Sequence, residues 1–351
     1  MRSMVFSVAA LLWTMPASAQ QMAPFFENSY SIENLGSIPG VPFTYGGCCF
    51  LAGNPNVLLV GGHANTAEGD IWAVNVTRDA QGHITGFAGG AAFFADAYGL
   101  GRGGIDGTLA YLPNGVLAYT TFPDNYLGQL APGSSTPSGF VDLSDYVFDS
   151  VGGFVQVPPG FPGAGRFKFF SYFPSYWYDV DLVLTGSGFY DVTGASQITV
   201  LPGGPECALY VSGANPEFGV DVVLVSKFVG GRIDYYLLDA DGDPIVYTEF
   251  PFIENLYGAE GMAFDPLTND LIITTYDYGP YGGNELFVVK GFLPPPACTG
   301  DLNHDGNVDA SDLATVLGSW GPCGGCAADL DGSGTVNAAD LSILLGAWGP
   351  C

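Results

Sequence analysis

The sequence predicts an all-β fold, a β-propeller of about five to seven blades, followed by a small α-helical domain. Three observations carry this. Short apolar runs recur between residues 22 and 291, each bounded by turn-forming residues. A Gly-x-acid-Gly element opens two of those runs. Past a cluster of prolines the apolar spacing changes from strand-like to helical.

Taken in order, strands are expected at 56–60, 70–76, 115–119, 166–170, 220–225, 232–238, 270–274 and 285–289, where β-branched and aromatic residues dominate. Stretches of turn-forming residues such as 239–244 and 265–269 punctuate them. Gly104, Asp106 and Gly107 open one run, and a hairpin at 113–115 leads to a second. Gly258, Glu260 and Gly261 open another, with a hairpin at 266–269. Degraded copies begin near Gly46–Gly47 and Gly152–Gly153. The intervals are roughly fifty residues, a blade length for a four-stranded propeller sheet. The stretch 261–266 resembles the blades of NHL-like propellers. A β-sandwich pair or a jelly roll is the competing architecture.

In a propeller the innermost strands begin near the central channel, so Asp106 and Glu260 are candidate channel acids. Two carboxylates there can bind a cation or act as an acid/base pair. The competing reading makes both of them turn residues that accept backbone N–H bonds. Other chemistry is sparse. His63 and His83 are the only histidines of this region, and no nucleophile elbow, phosphate loop or dinucleotide fingerprint is present. His63 is read as a surface-loop residue, and Asp239, Asp241 and Asp243 as a tight hairpin. The aromatic cluster 169–178 is read as core, with sugar stacking as the exposed alternative. Cys48 and Cys49 are adjacent, and a bridge from one of them to Cys207 is a bare possibility.

The tail holds two copies of one acidic loop, 301–312 and 329–340. Side-chain oxygens fall at loop positions 1, 3, 5, 9 and 12, with Gly at 6, the ligand spacing of an EF-hand calcium loop. The first set is Asp301, Asn303, Asp305, Asp309 and Asp312, with Asn307 offering its carbonyl. The second is Asp329, Asp331, Ser333, Asn337 and Asp340, with the carbonyl of Thr335. Two calcium ions are expected. Each loop is followed by apolar residues at helical spacing: 313, 316, 317 and 320, then 341, 344, 345 and 348.

A calcium loop followed by one helix, twice over, resembles the dockerin type I domain. The resemblance covers residues 298–351, and Asp at position 12 fits it. It implies calcium-dependent docking onto a cohesin-like or other anchoring protein, with Ala310, Ser311, Ala338 and Ala339 at the contact positions. It also implies an association with polysaccharide breakdown. Four cysteines depart from the usual pattern. Cys298 and Cys323 bracket the first unit, and Cys326 and Cys351 the second. The symmetry suggests bridges Cys298–Cys323 and Cys326–Cys351, although four cysteines permit three pairings.

Residues 1–19 read as an export signal: Arg2, an apolar stretch from Val5 to Trp13, and small residues at 17–19. No segment has the length of a membrane span. The expected organisation is a signal at 1–19, a propeller at 22–291, a Pro-rich linker at 292–297 and the calcium domain at 298–351. The net charge of −27, with only eight Lys and Arg, argues against a nucleic-acid partner. Disulfides and calcium loops both suit a secreted or cell-surface protein. The expected function is an exported calcium-binding protein whose tail anchors the propeller in an extracellular complex. The alternatives make the propeller itself a carbohydrate-active hydrolase or lyase, or a non-catalytic carbohydrate-binding module.

Overall fold

The computed structural model describes residues 19–148, 150–279, 282–294, 299–303, 307–323 and 326–350. Of the signal read at 1–19, residues 1–18 lie outside these. Strands β1 (Gln21–Met22) and β2 (Ser31–Gly36) come first and find their partners last. Five antiparallel sheets then follow in chain order.

The first blade is β3 (Cys48–Leu51), β4 (Asn54–Gly62) and β5 (Asp70–Arg78), with both β6 (Ile84–Phe87) and β7 (Ala92–Asp96) pairing on β5. The second is β8 (Gly104–Tyr111), β9 (Leu117–Phe122), β10 (Tyr126–Leu130) and β11 (Gly139–Asp142). The third is β12 (Val151–Gln156), β13 (Phe167–Ser171), β14 (Tyr176–Leu184) and β15 (Tyr190–Val200). The fourth is β16 (Pro205–Val211), β17 (Val222–Lys227), β18 (Arg232–Leu237) and β19 (Phe250–Glu254), edged by β1. The fifth is β20 (Ala259–Phe264), β21 (Leu271–Thr275) and β22 (Leu286–Lys290), completed on its outer edge by β2. This is a five-bladed β-propeller. The N-terminal strand in the last blade closes the ring, so the first and last parts of the propeller sequence share one sheet and no blade edge is left for its neighbour to miss.

The inner strands β3, β8, β12, β16 and β20 meet around the axis. In the last four, the pairing register shifts near the start of the strand, at Ile105/Leu109, Val151/Gly153, Pro205/Ala208 and Ala259/Met262. Such bulges bend the strand toward the axis. Hydroxyls of second strands tie these bends to the next blade. Thr120 donates to the Gly152 carbonyl (2.9 Å), Ser226 to that of Glu260 (3.2 Å), and Thr274 to that of Gly46 (2.7 Å). The backbone N–H of Gly47 donates to the Asp106 carbonyl (2.7 Å).

Glycine is required here for close approach. A Cβ on Gly107 would overlap the Glu206 carbonyl, and one on Gly47 would overlap the backbone of Thr108 and Leu109. Gly107→Ala is expected to destabilise the propeller by about 1–3 kcal/mol, the usual range for overpacking. Equilibrium denaturation measures it, and an unchanged midpoint would mean that the inner strands do not touch as described.

The cores lie between adjacent sheets. The aromatic run is core in part: Phe169, Phe170, Trp177 and Tyr178 are buried, while Phe173 is exposed and Tyr172 is half-buried. One boundary moves. Phe292, expected in the linker, is buried against Tyr30, Phe218, Phe252 and Phe264, and Leu293 N donates to Asn215 Oδ1 (2.8 Å). Its ring completes an aromatic cluster, so the propeller holds the chain as far as Leu293. Residues 295–298 lie outside the described set.

The C-terminal domain consists of β23 (Asn307–Val308), α1 (Ala310–Gly318), β24 (Gly321–Pro322), β25 (Thr335–Val336), α2 (Ala338–Gly346) and β26 (Gly349–Pro350). β24 pairs with β25 and β23 with β26, so each unit's end lies against the other unit's loop. The two units are thereby interlaced around Val308, Val316, Ala328, Val336 and Leu344.

This interlacing corrects the expected disulfides. Cys323 N donates to the Gly334 carbonyl (2.9 Å). Cys323 bonds to Cys326, with Cα atoms 5.7 Å apart, so neither Cys298–Cys323 nor Cys326–Cys351 forms. Cys298 and Cys351 lie outside the described residues. The possible bridge to Cys207 is also absent: Cys48, Cys49 and Cys207 are free thiols.

Candidate functional sites

The second calcium loop is described throughout. Asp329, Asp331 and Asp340 each offer a carboxylate oxygen within 4.8 Å of the others. Gly334, at φ +84°, takes the left-handed turn that position 6 demands. Backbone N–H groups shape the ring. Asp340 accepts from Asp331 N (3.1 Å) and Asn337 N (2.7 Å), and Asp329 from Gly334 N (2.7 Å). These bonds hold the Asp340 carboxyl below its ordinary pKa, so it stays ionised. The donor set is all oxygen, which fits a hard cation. In the first loop Asp312 plays the same part, accepting from Leu302 N (2.7 Å) and Asp309 N (2.9 Å). Asp305 and Gly306 lie outside the described residues.

Asp309 and Asn337, at loop position 9, also cap the helices. Each accepts from a first-turn N–H and forms a capping box with the position-12 aspartate. Ala310, Ser311, Ala338 and Ala339 are exposed at the helix starts, as a docking role requires. The apolar stripe divides differently from expectation. Val316 and Leu344 are fully buried, but Leu317 and Trp320, and their repeat mates Leu345 and Trp348, are each about half exposed. So small a domain has no second layer to cover them.

The second site lies on the propeller axis. Asp106 and Glu260 are brought together there, joined by Glu206, which the Gly-x-acid-Gly pattern does not find. Their ligand oxygens lie within 4.8 Å of one another, and the residues are 3 %, 1 % and 4 % exposed. They are not surface turn residues. Each sits at the bulge of its inner strand; the corresponding position is Gly46 in the first blade and Gly152 in the third. Burial raises all three carboxyls. Asp106 is pushed up to about 7, while Glu206 and Glu260 are held well above the usual range, by desolvation first and then by neighbouring acids.

Above the acids is a cavity of about 210 Å³ lined by Asn65, Phe122, Tyr172, Phe228 and Tyr276. Each aromatic residue stands at or just past the end of its blade's second strand, and Phe228 packs against both Tyr172 and Tyr276. In the first blade His63 follows β4 instead, on a loop, paired with Asp70 at 3.2 Å. His83 pairs with Asp270 (2.7 Å), away from the axis. Asp239 accepts from Asp241 N and Asp243 N, the tight hairpin expected. No described helix is long and apolar enough to cross a membrane.

Residues 299–346 match the family model of the dockerin type I domain. The protein is therefore a five-bladed β-propeller carrying a dockerin type I domain. Dockerin type I domains bind calcium and dock onto cohesins in cellulosome-type assemblies, and they occur in extracellular proteins. No curated protein matches the chain.

Among solved structures, it is similar to a putative oxidoreductase (glucose dehydrogenase) from Thermus thermophilus, at 13% identity over 74% of this chain and 99% of that one, TM-score 0.44. It is also similar to a Trichoderma reesei enzyme of Carbohydrate-Active Enzymes Family AA12, at 11% identity over 81% and 100%, TM-score 0.40. An auxiliary nutrient binding protein from Bacteroides ovatus matches at 12% identity over 74% and 76%, TM-score 0.40.

Proposed function

We propose that this is an exported protein whose dockerin, loaded with two calcium ions, docks the propeller into an extracellular complex concerned with polysaccharide breakdown. The carrying observation is the acidic loop that the sequence repeats, its second copy drawing three carboxylates together, with a repeated exposed apolar pair, Leu317 with Trp320 and Leu345 with Trp348. Calcium fixes the loops. The loops fix the start of each helix through Asp312 and Asp340. The helices then present Ala310, Ser311, Ala338 and Ala339 as small, close-approach surface at their starts, and large apolar anchors at or just past their ends. Buried aromatic anchors dominate docking energies.

The test is capture from the secreted fraction, and from a cohesin panel, with and without chelator. The Trp320→Ala/Trp348→Ala double variant is expected to lose at least about 2 kcal/mol of docking energy, as hot-spot tryptophans do. Unchanged affinity would remove this face from the interface.

The aromatic cup over buried carboxylates favours a second reading, that the propeller itself binds or cleaves a carbohydrate. Sugar CH faces stack on aromatic rings, and carboxyls with raised pKa serve as acids. Screening a polysaccharide panel separates turnover from binding. If the protein hydrolyses a glycan, Asp106→Asn and Glu260→Gln are each expected to lower kcat by about a hundredfold or more. Full rates in both would exclude the axial acids from the chemistry.

A further inference from the structure

The axial carboxylates carry an inference that is independent of the dockerin. Three acids from three blades converge at one buried point. Glu206 Oε2 and both carboxylate oxygens of Glu260 accept no hydrogen bond. No base neutralises them. Among the described residues, Arg78, Arg166, Lys168, Lys227, Arg232 and Lys290 pair with acids elsewhere, and Arg102 is exposed. Buried carboxylate oxygens with no partner are rare because they are costly, and the fold has placed three of them, on Glu206 and Glu260, beside Asp106.

The geometry points to a third, propeller-borne site for a hard divalent cation, held by Asp106, Glu206 and Glu260, with calcium the ion it suits best. Calcium–oxygen distances are about 2.4 Å, so oxygens on opposite sides of one ion lie about 4.8 Å apart. The three carboxylate oxygens fall within that span. Magnesium needs a tighter octahedron and keeps several waters, which suits a converging all-carboxylate floor less well.

The three acids come from the second, fourth and fifth blades. The third blade contributes only Gly152 at this level, where a Cβ would overlap the Pro205 carbonyl and crowd Glu206 Oε2. The glycine therefore keeps the acid oxygens clear for a ligand. Asn65 Oδ1, also without a partner, borders the cup above. The open side of the ion faces this cup, where water or the hydroxyls of a ring stacked on Tyr172, Phe228 and Tyr276 complete its coordination.

The test uses the full-length chain, stripped with chelator and then titrated with calcium chloride. Equilibrium dialysis is expected to show one more ion per chain in wild type than in Glu206→Gln/Glu260→Gln, which leaves the dockerin loops untouched. Thermal unfolding followed by the strand signal of circular dichroism gives a second readout. In chelator at neutral pH the double variant should melt higher than wild type, because its amides are neutral already, whereas the buried acids must take up protons on folding. In calcium the order should reverse. Equal calcium content in the two proteins, or no reversal, would overturn the site and leave a cluster that simply holds its protons. Should the double variant fail to fold, wild type alone decides. Its strand transition must rise with calcium, and no rise refutes the proposal. Loss of the dockerin ions would appear instead in the helical signal.

Discussion

Chelating calcium is expected to unfold the dockerin while leaving the strands of the propeller in place. The dockerin's core consists of little more than Val308, Val316, Ala328, Val336 and Leu344, with one described disulfide, Cys323–Cys326. A core that thin does not hold a domain by burial alone. The loops add a cost, because Asp329, Asp331 and Asp340 are drawn within 4.8 Å of one another. Without a cation their repulsion opposes folding. With one, the same convergence favours it. At free calcium a thousandfold above its dissociation constant, the gain is about 4 kcal/mol for each site. Because Asp312 and Asp340 also cap α1 and α2, helix and ion should be lost together. Calorimetry should record two ions bound by the dockerin, and the helical signal should rise with them and vanish on chelation. Absence of heat, or helices that persist in chelator, would refute both the proposed ion pair and the docking switch built on it.

Much of this was legible because it is local. Period-two runs and their turns report strands directly. The loops at 301–312 and 329–340 carry their ligand order in sequence. Gly-x-acid-Gly reports the inner strands of two blades because its glycines answer to a local need, the approach of neighbouring backbones at Gly107 and Gly261. Glu206 escaped because Cys207 stands where Gly107 and Gly261 close the pattern in the other two blades. The signal that could have found it is the first half of the same pattern: Gly204-Pro-Glu206 keeps the Gly-x-acid of Gly104-Ile-Asp106 and Gly258-Ala-Glu260.

What depended on distant contact was not legible. Strand β2 completes the last blade, Phe292 belongs to a cluster with Tyr30, and Leu317 and Trp320 face outward although their spacing matches that of Val316. The cysteines were misread for a related reason. Their spacing has the symmetry of the repeat, but the fold exchanges the ends of the repeats.

The other large effect is expected at a seam between blades, from Lys168→Ala. This chain has few bases, and among the described residues it buries two of them, Lys168 and Lys227. Lys168, on β13 of the third blade, is fully buried, with Nζ 2.7 Å from Asp243 Oδ1 and 3.3 Å from Asp179 Oδ1. Asp243 belongs to the hairpin after β18 of the fourth blade, and it also accepts from Trp177 Nε1 at 2.8 Å. One lysine thus joins two sheets through an acid that is 3 % exposed. Arg78 does the same between the first and fifth blades through Asp265. Removing Lys168 leaves Asp243 buried with a single neutral donor and opens a cavity where the aliphatic stem packed. Breaking a buried pair from one side costs about 3–5 kcal/mol, because the remaining charge has neither water nor partner. Lys168→Met, which keeps the volume, should lose most of the same amount, since charge rather than space dominates. Adding Asp243→Leu to Lys168→Met should recover much of it, because a shape-matched apolar pair needs no compensation. Denaturant midpoints of the single and double variants measure each step. A loss under about 1 kcal/mol in Lys168→Ala would place this pair among surface ion pairs, which contribute little, and would mean that the seam is held by side-chain packing alone.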